Sequence, residues 1–184
     1  MQVLIVTPWY PWPEIPIRGI WVVDHARTMM AEHEVVMLHP SPRFDADRPY
    51  TLLDHDEYGL RTLRITYPHP RIPGLGMRAQ RAGTIEALAR LQADGFVPDV
   101  IHAHVVLSAP AALTAKSRTG APLLINEHLT RVTDARLGLL ERRLARYAYR
   151  RADLVCTTSE PMVEEVRSMG ARRTLHTLNV LDTE

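Results

Sequence analysis

Short apolar, β-branched runs alternate along this chain with longer stretches of helical spacing. Parallel strands cannot be joined by a tight hairpin and need a crossover of about a dozen residues or more, so the alternation calls for a parallel sheet wrapped by helices. The runs are Gln2–Thr7, Glu34–His39, Leu60–Tyr67, Asp99–Ala103, Pro122–Asn126, Asp153–Thr157 and Thr174–Leu178. Gln2–Thr7 is nearly unbroken in apolar residues, the mark of a strand buried on both faces. Leu60–Tyr67 alternates apolar with polar and reads as an outer strand. Helices are predicted near 20–32, 78–93, 108–118, 135–150 and 160–169; in the first, Val22, Val23, Ala26, Met29 and Met30 form the apolar stripe. Ser159 is placed to cap the last helix and Gly170 to end it. Residues 41–58 are acidic, contain prolines and lack periodicity, so they are expected as loop, and 68–76, with three prolines and two glycines, as irregular. The expected fold is α/β: a Rossmann-like, doubly wound, mostly parallel sheet of about seven strands, in one domain covering 1–184.

Composition narrows the function classes only a little. With 46% hydrophobic and 23% charged residues and a net charge of +1, no excess of positive charge marks a nucleic-acid binder. No stretch approaches the ~18 apolar residues of a membrane span, and Val3–Val6 is too short for a secretory core. One cysteine, Cys156, excludes an internal disulfide and a multi-cysteine metal site, which points to a reducing, cytoplasmic setting. Cys156 sits in an apolar run and reads as core.

In a doubly wound sheet, ligands bind beyond the carboxyl ends of the strands. Those ends carry recognisable segments. "VTPWYPWPEIPIRGIWVVDHARTMMAEHEVVML" joins the first strand to a glycine-containing loop and a helix; "PDVIHAHVVLSAPAAL", "PLLINEHLTRV" and "RRADLVCTTSEPMVEEVRSMG", with "LNVLDTE" after it, follow in order. Together they resemble the N-terminal, acceptor-side half of family-4-like GT-B glycosyltransferases. Arg18-Gly19 stands where many members have two glycines, and Leu178–Asp182 lacks the proline and glycine of the family's boundary turn.

The resemblance implies a retaining enzyme that moves a sugar from a nucleotide-sugar to a hydroxyl of a glycan or lipid-linked acceptor. The nucleotide-sugar would be a co-substrate, with no other cofactor and no metal, and the partner would be a C-terminal donor-binding domain in the same parent chain or a separate subunit. His128 is then the catalytic candidate, since an imidazole donates a hydrogen bond or moves a proton near neutral pH; a histidine merely bonded within its loop is the plainer reading. Gly19, with Arg18, would face the donor diphosphate at a helix N-terminus, although a glycine between strand and helix also suits a simple turn. Trp12, His104, Glu127 and Thr130 are acceptor-side candidates. His102 and His104 alternate along one strand end and so face the same side of the sheet.

Two surface features stand apart from those strand ends. The loop holding Trp9, Tyr10, Trp12, Ile15 and Ile17 is apolar for a connection, fit either to stack on a sugar or lipid-linked acceptor or to close the sheet edge as a lid. Residues 136–151 hold six arginines against one acid, Glu141, with leucines at helical spacing, so peripheral membrane contact and an ordinary solvated face are both open. The rival function class is a non-catalytic, flavodoxin-like binding module.

Overall fold

The computed structural model describes residues 1–12, 14–46, 49–69, 75–133 and 137–177. Eight strands make one sheet: β1 (Gln2–Val6), β2 (Glu34–Arg43), β3 (Thr51–Glu57), β4 (Leu60–Pro68), β5 (Val100–His104), β6 (Leu123–Glu127), β7 (Leu154–Thr157) and β8 (Thr174–His176). Their spatial order is β3-β4-β2-β1-β5-β6-β7-β8, parallel except for the antiparallel pair of β3 with β4. The helices are α1 (Ile20–Met30), α2 (Leu75–Ala93), α3 (Ala109–Thr119), α4 (Thr130–Thr133), α5 (Leu139–Tyr149) and α6 (Glu160–Ser168).

The eighth strand is the main correction to the sequence reading. Much of the 41–58 stretch is strand rather than loop: β2 continues to Arg43, and Thr51–Glu57 pairs with β4, which displaces Leu60–Pro68 from the sheet edge. Pro40 and Pro42 are tolerated in β2 for a directional reason. Leu38 accepts from Thr7 of β1, whereas Arg43 accepts from His69 beyond β4, so even-numbered residues turn their backbone groups towards β1 and odd-numbered ones towards β4. β1 has ended before Pro40, so the missing N–H groups fall on a side with no strand to receive them.

Hydrophobic burial divides between the two faces. On one, Val22, Val23 and Ala26 of α1 pack on Val3, Ile5, Val35 and Met37; on the other, α2, α3, α5 and α6 cover Leu4, Val6, Val36, Leu38, Ile101 and Ile125. Right-handed crossovers account for this. From β1 the chain moves to β2 on one side and later proceeds from β5 through β6 and β7 on the other, so their helices lie on opposite faces. β1 and β5 therefore flank the point where the winding reverses, and a crevice opens beyond their carboxyl ends.

Smaller corrections concern the helices. The expected helix at 135–150 is α5 alone, started at Gly138, whose N–H is accepted by Glu141 at 2.9 Å; α4 is separate, and 134–136 lie outside the described residues. Ser159 precedes α6 but makes no side-chain cap; its carbonyl accepts from Val163 instead. Gly170, at φ +106°, does end that helix, with Ala171 donating back to Val166. Cys156 is buried. Leu178–Glu184 and most of the proline-rich 68–76 stretch fall outside the described residues.

Candidate functional site

The first wall of the crevice is the loop after β1. Thr7 caps it: its hydroxyl accepts from the Trp9 N–H at 3.1 Å and donates to the Trp9 carbonyl at 3.0 Å. The loop then returns over the Trp9 peptide at Gly19, which is buried at φ +71°. A Cβ there would stand 2.3 Å from the Trp9 oxygen, so both the backbone angle and the packing require glycine. Helix α1 starts at the next residue, and Arg18 beside it is exposed.

Trp21 and His25, one turn apart on α1, lie over the end of β5. Trp21 meets His104 at 5.2 Å and His128 at 4.5 Å between ring centroids. His25 lies 5.9 Å from His102 and 5.7 Å from His104, while His102 and His104 are 4.4 Å apart. His104 stacks on His128 at 5.9 Å. Four imidazoles from α1, β5 and the turn after β6 thus share one cluster. Five of their ring nitrogens, Nδ1 of His25, Nε2 of His102, both of His104 and Nε2 of His128, are buried without a hydrogen-bond partner.

Burial disfavours the imidazolium form. It pulls the His128 pKa down to about 4 and that of His102 to about 3, and it lowers His25 and, well below the ordinary value, His104. The cluster is therefore neutral at pH 7. Among the described residues, no group of three or more His, Cys, Asp or Glu side chains is arranged to hold a metal ion.

Glu127 fixes the second wall. Its Oε2 accepts from the Val106 N–H at 2.8 Å and the Tyr149 hydroxyl at 2.7 Å; its Oε1 accepts from the N–H groups of His128 and Leu129 at 3.1 and 2.9 Å. One buried carboxyl ties the turn after β5, the turn after β6 and helix α5 together. Burial raises its pKa against the pull of these donors and drives Tyr149 well above its ordinary value, so the phenol stays the donor. Val105, just after His104, is held at φ +55°, an outlier for a β-branched residue.

Two expectations fail here. His104 and Glu127 are completely buried, so neither offers surface to an acceptor; the first stacks inside the cluster and the second is used up by backbone donors and Tyr149. His128 is only partly buried, and Thr130, two residues further along at the start of α4, is exposed. Trp12 lies elsewhere in the crevice, towards β4, with the Arg64 guanidinium 4.2 Å from its ring centroid. Arg136, at the start of the arginine-rich segment, lies outside the described residues. Trp21, His25, Val105 and Tyr149 were not foreseen; the i, i+4 spacing of Trp21 and His25 was the available signal, overshadowed by the apolar stripe beside it.

On the far face, Leu139 and Leu140 of α5 are 83% and 65% exposed, beside exposed Arg143, Arg146, Arg150 and Arg151. No described helix is long and apolar enough to cross a membrane.

Against known proteins, the profile of the glycosyl transferase 4-like domain matches residues 19–179. The fold is similar to sucrose-phosphate synthase from Thermosynechococcus elongatus, at 18% identity and a TM-score of 0.66 over 96% of this chain and 47% of that one. It is similar to the catalytic domain of starch synthase IV from Arabidopsis thaliana, at 15% identity and 0.62, over 100% and 52%. A UDP-N-acetylglucosamine 2-epimerase from Rickettsia bellii shares it as well, at 14% identity and 0.63, over 97% and 45%. The chain thus spans about half the length of these three proteins, and its sheet corresponds to one half of a GT-B architecture. No curated protein matches its sequence.

Proposed function

The chain belongs to the glycosyl transferase 4-like family, and from that premise we propose that it is the acceptor-side half of a retaining glycosyltransferase. The reaction transfers a sugar from a nucleotide-sugar to a hydroxyl of a glycan or lipid-linked acceptor, and a C-terminal domain supplies most donor contacts. The observation that carries this reading is the contact of Trp21 with His128. It brings the helix that begins after Gly19 and the turn after β6 to one wall of the crevice, with His128 only partly buried.

In this scheme Gly19 turns the chain so that the N-terminus of α1, with Arg18 beside it, faces the donor diphosphate. The bond from the anomeric carbon to the diphosphate oxygen breaks as the bond to the acceptor oxygen forms on the same face, and the acceptor proton passes to the departing diphosphate. His128, kept neutral by burial, offers a hydrogen bond at the reacting centre, and with its pKa held down to about 4 it is too weak a base to keep that proton. Thr130 and Trp12 contact the acceptor. Glu127 and His104 act behind this surface, holding its turns and its histidine in place.

Exposed Leu139 and Leu140, with Arg143, Arg146, Arg150 and Arg151 beside them, suit peripheral contact of the 136–151 segment with an anionic membrane on the cytoplasmic side, where a lipid-linked acceptor would be presented. Release of nucleoside diphosphate from UDP-, GDP- and ADP-sugars, with the glycan product identified by mass, tests the assignment. The 184-residue chain alone should show no turnover, and the chain joined to a donor-binding domain should. Turnover by the 184 residues alone overturns the division of labour. A joined enzyme that transfers no sugar leaves a binding module.

A further inference from the structure

A second cavity lies in the crevice, away from the histidines. It encloses about 430 Å³ between the loop after β1 and the β3–β4 hairpin, and Trp12, His55, Glu57, Tyr58 and Arg64 line it. The strand register puts it on the same face as the histidine cluster. Arg64 pairs with His39, which stands level with Thr7 and His104 across β1 and β5. Three strand spacings separate Arg64 from His104, about 14 Å.

The cavity is built rather than incidental. Arg64, 4% exposed, gives Nε and Nη2 to the Glu57 carboxylate at 2.5 Å each and Nη2 also to the Pro11 carbonyl at 2.6 Å, while Nη1 is buried without a partner. His55 Nε2 pairs with the same carboxylate. The guanidinium lies against Trp12 at 4.2 Å and Tyr10 at 5.0 Å. At the rim, Tyr58 is held at φ +57° next to Gly59 at φ +75°. A two-residue hairpin turn with both angles positive favours Asn-Gly, so a tyrosine in the first place is strained. That strain presents a ring that is 43% exposed.

We propose that this cavity is a saccharide subsite that holds a neutral sugar unit of the acceptor, remote from the hydroxyl that reacts. The proposal rests on the transferase reading for the word acceptor, but the binding site stands on its own residues. The aromatic rings of Tyr58 and Trp12 match the apolar face of a pyranose. Glu57 and His55 match its hydroxyls, and the close pairing of Arg64 with Glu57 cancels charge, which favours a neutral unit over an anionic one. A unit bound about 14 Å from the histidines anchors the acceptor, and such remote contacts supply binding energy for positioning.

Titrating the 184-residue chain with maltotriose, cellotriose and chitotriose, followed by amide shifts in NMR up to about 10 mM (near the weak limit of specific binding), tests this. At least one trisaccharide should shift the signals of 55–58 and 64. Tyr58→Asn and His55→Ala should weaken it about tenfold or more, with His128→Ala unchanged. Tyr58→Asn also relieves the strained turn, so its melting temperature should hold or rise, which separates lost binding from lost folding. Absence of shifts with every trisaccharide overturns the subsite. Binding that only His128→Ala removes also overturns it, while leaving the transferase reading intact. A joined enzyme without transferase activity whose 55–58 rim still binds saccharide supports the subsite and sinks only the transferase reading.

Discussion

Trp21 rests against His128 with ring centroids 4.5 Å apart, so the position of that histidine depends on the helix that starts after Gly19. The two belong to different crossover units on either side of β5, and tertiary packing alone brings them together.

Gly19→Ala should therefore be costly out of proportion to its size. The added methyl would sit 2.3 Å from the Trp9 oxygen, and the backbone is left-handed as well. A loss of about 3 kcal/mol is expected, combining strain with displaced packing. Gly59→Ala is the control: its φ is +75° but nothing lies within 4 Å of the new Cβ, so only strain of about 1 kcal/mol remains. Urea unfolding of both variants measures the difference. Equal losses would show that the Trp9 contact does not matter.

Glu127 makes a sharper case, because its four donors come from three parts of the chain. Glu127→Ala leaves three buried N–H groups and the Tyr149 hydroxyl unpaired and should cost about 3–5 kcal/mol. Tyr149→Phe removes one donor only and should cost about 1–2 kcal/mol. If the two variants melt at the same temperature, the carboxylate is not the joint that the geometry makes it.

The neutral histidines predict a direction for acid sensitivity. In the unfolded chain an imidazole takes up its proton near pH 6.5, but folded His102 waits until about 3 and His128 until about 4. Between these limits the unfolded state binds more protons, so stability falls as pH is lowered from about 6.5 towards 3, the share of His128 levelling off near 4 and that of His102 near 3. His102 alone should account for about 2 kcal/mol by pH 5. Glu127, raised by burial, acts in the opposite sense as a single group. Urea midpoints measured from about pH 7 to 5 should fall, and His102→Asn should flatten the slope; an unchanged slope would mean that His102 is not a buried neutral imidazole.

The parallel strands could be read from sequence because each is a short apolar run followed by a helical stretch, and such runs carry their burial in their composition. The β2 extension and β3 could not. Pro40 and Pro42 look like breakers until the neighbour of each edge is known, and Thr51–Glu57 carries the acids and exposed side chains that keep an edge strand from pairing further. At the site, His128 just past a strand end and Gly19 just before a helix were visible as single residues. The burial of His104 and Glu127 was not, because a polar residue at a strand end is written the same way whether it faces a crevice or is enclosed by the next turn. Trp21 and His25 were hidden for a related reason: α1 presents two stripes, and the aliphatic one dominates the periodicity.

In the joined enzyme, His128→Gln should lower kcat by about 10²-fold or more, the range for losing a positioned hydrogen-bonding or proton-handling group. The KM for the nucleotide-sugar should change little, since the residue faces the reacting centre in this scheme. Steady-state rates with melting curves beside them check this. A variant of unchanged kcat would reduce His128 to a packing partner of Trp21.

Helix α5 offers the last measurement, and its two kinds of side chain should separate. The arginines attract an anionic surface over a Debye length of about 8 Å and are weakened by salt. Leu139 and Leu140 act only once they enter the lipid, and burying both adds about 3 kcal/mol or more. Sedimentation with phosphatidylglycerol vesicles should carry the chain down at low salt, with phosphatidylcholine vesicles as the neutral comparison. Replacing Arg143 and Arg146 with glutamine should weaken the salt-sensitive part, and Leu139→Ser with Leu140→Ser should leave a weaker association that salt removes entirely. Because all four residues are exposed, none of these changes should lower the melting temperature. Equal recovery with anionic and neutral vesicles, or none with either, would leave these arginines and leucines as an ordinary solvated face.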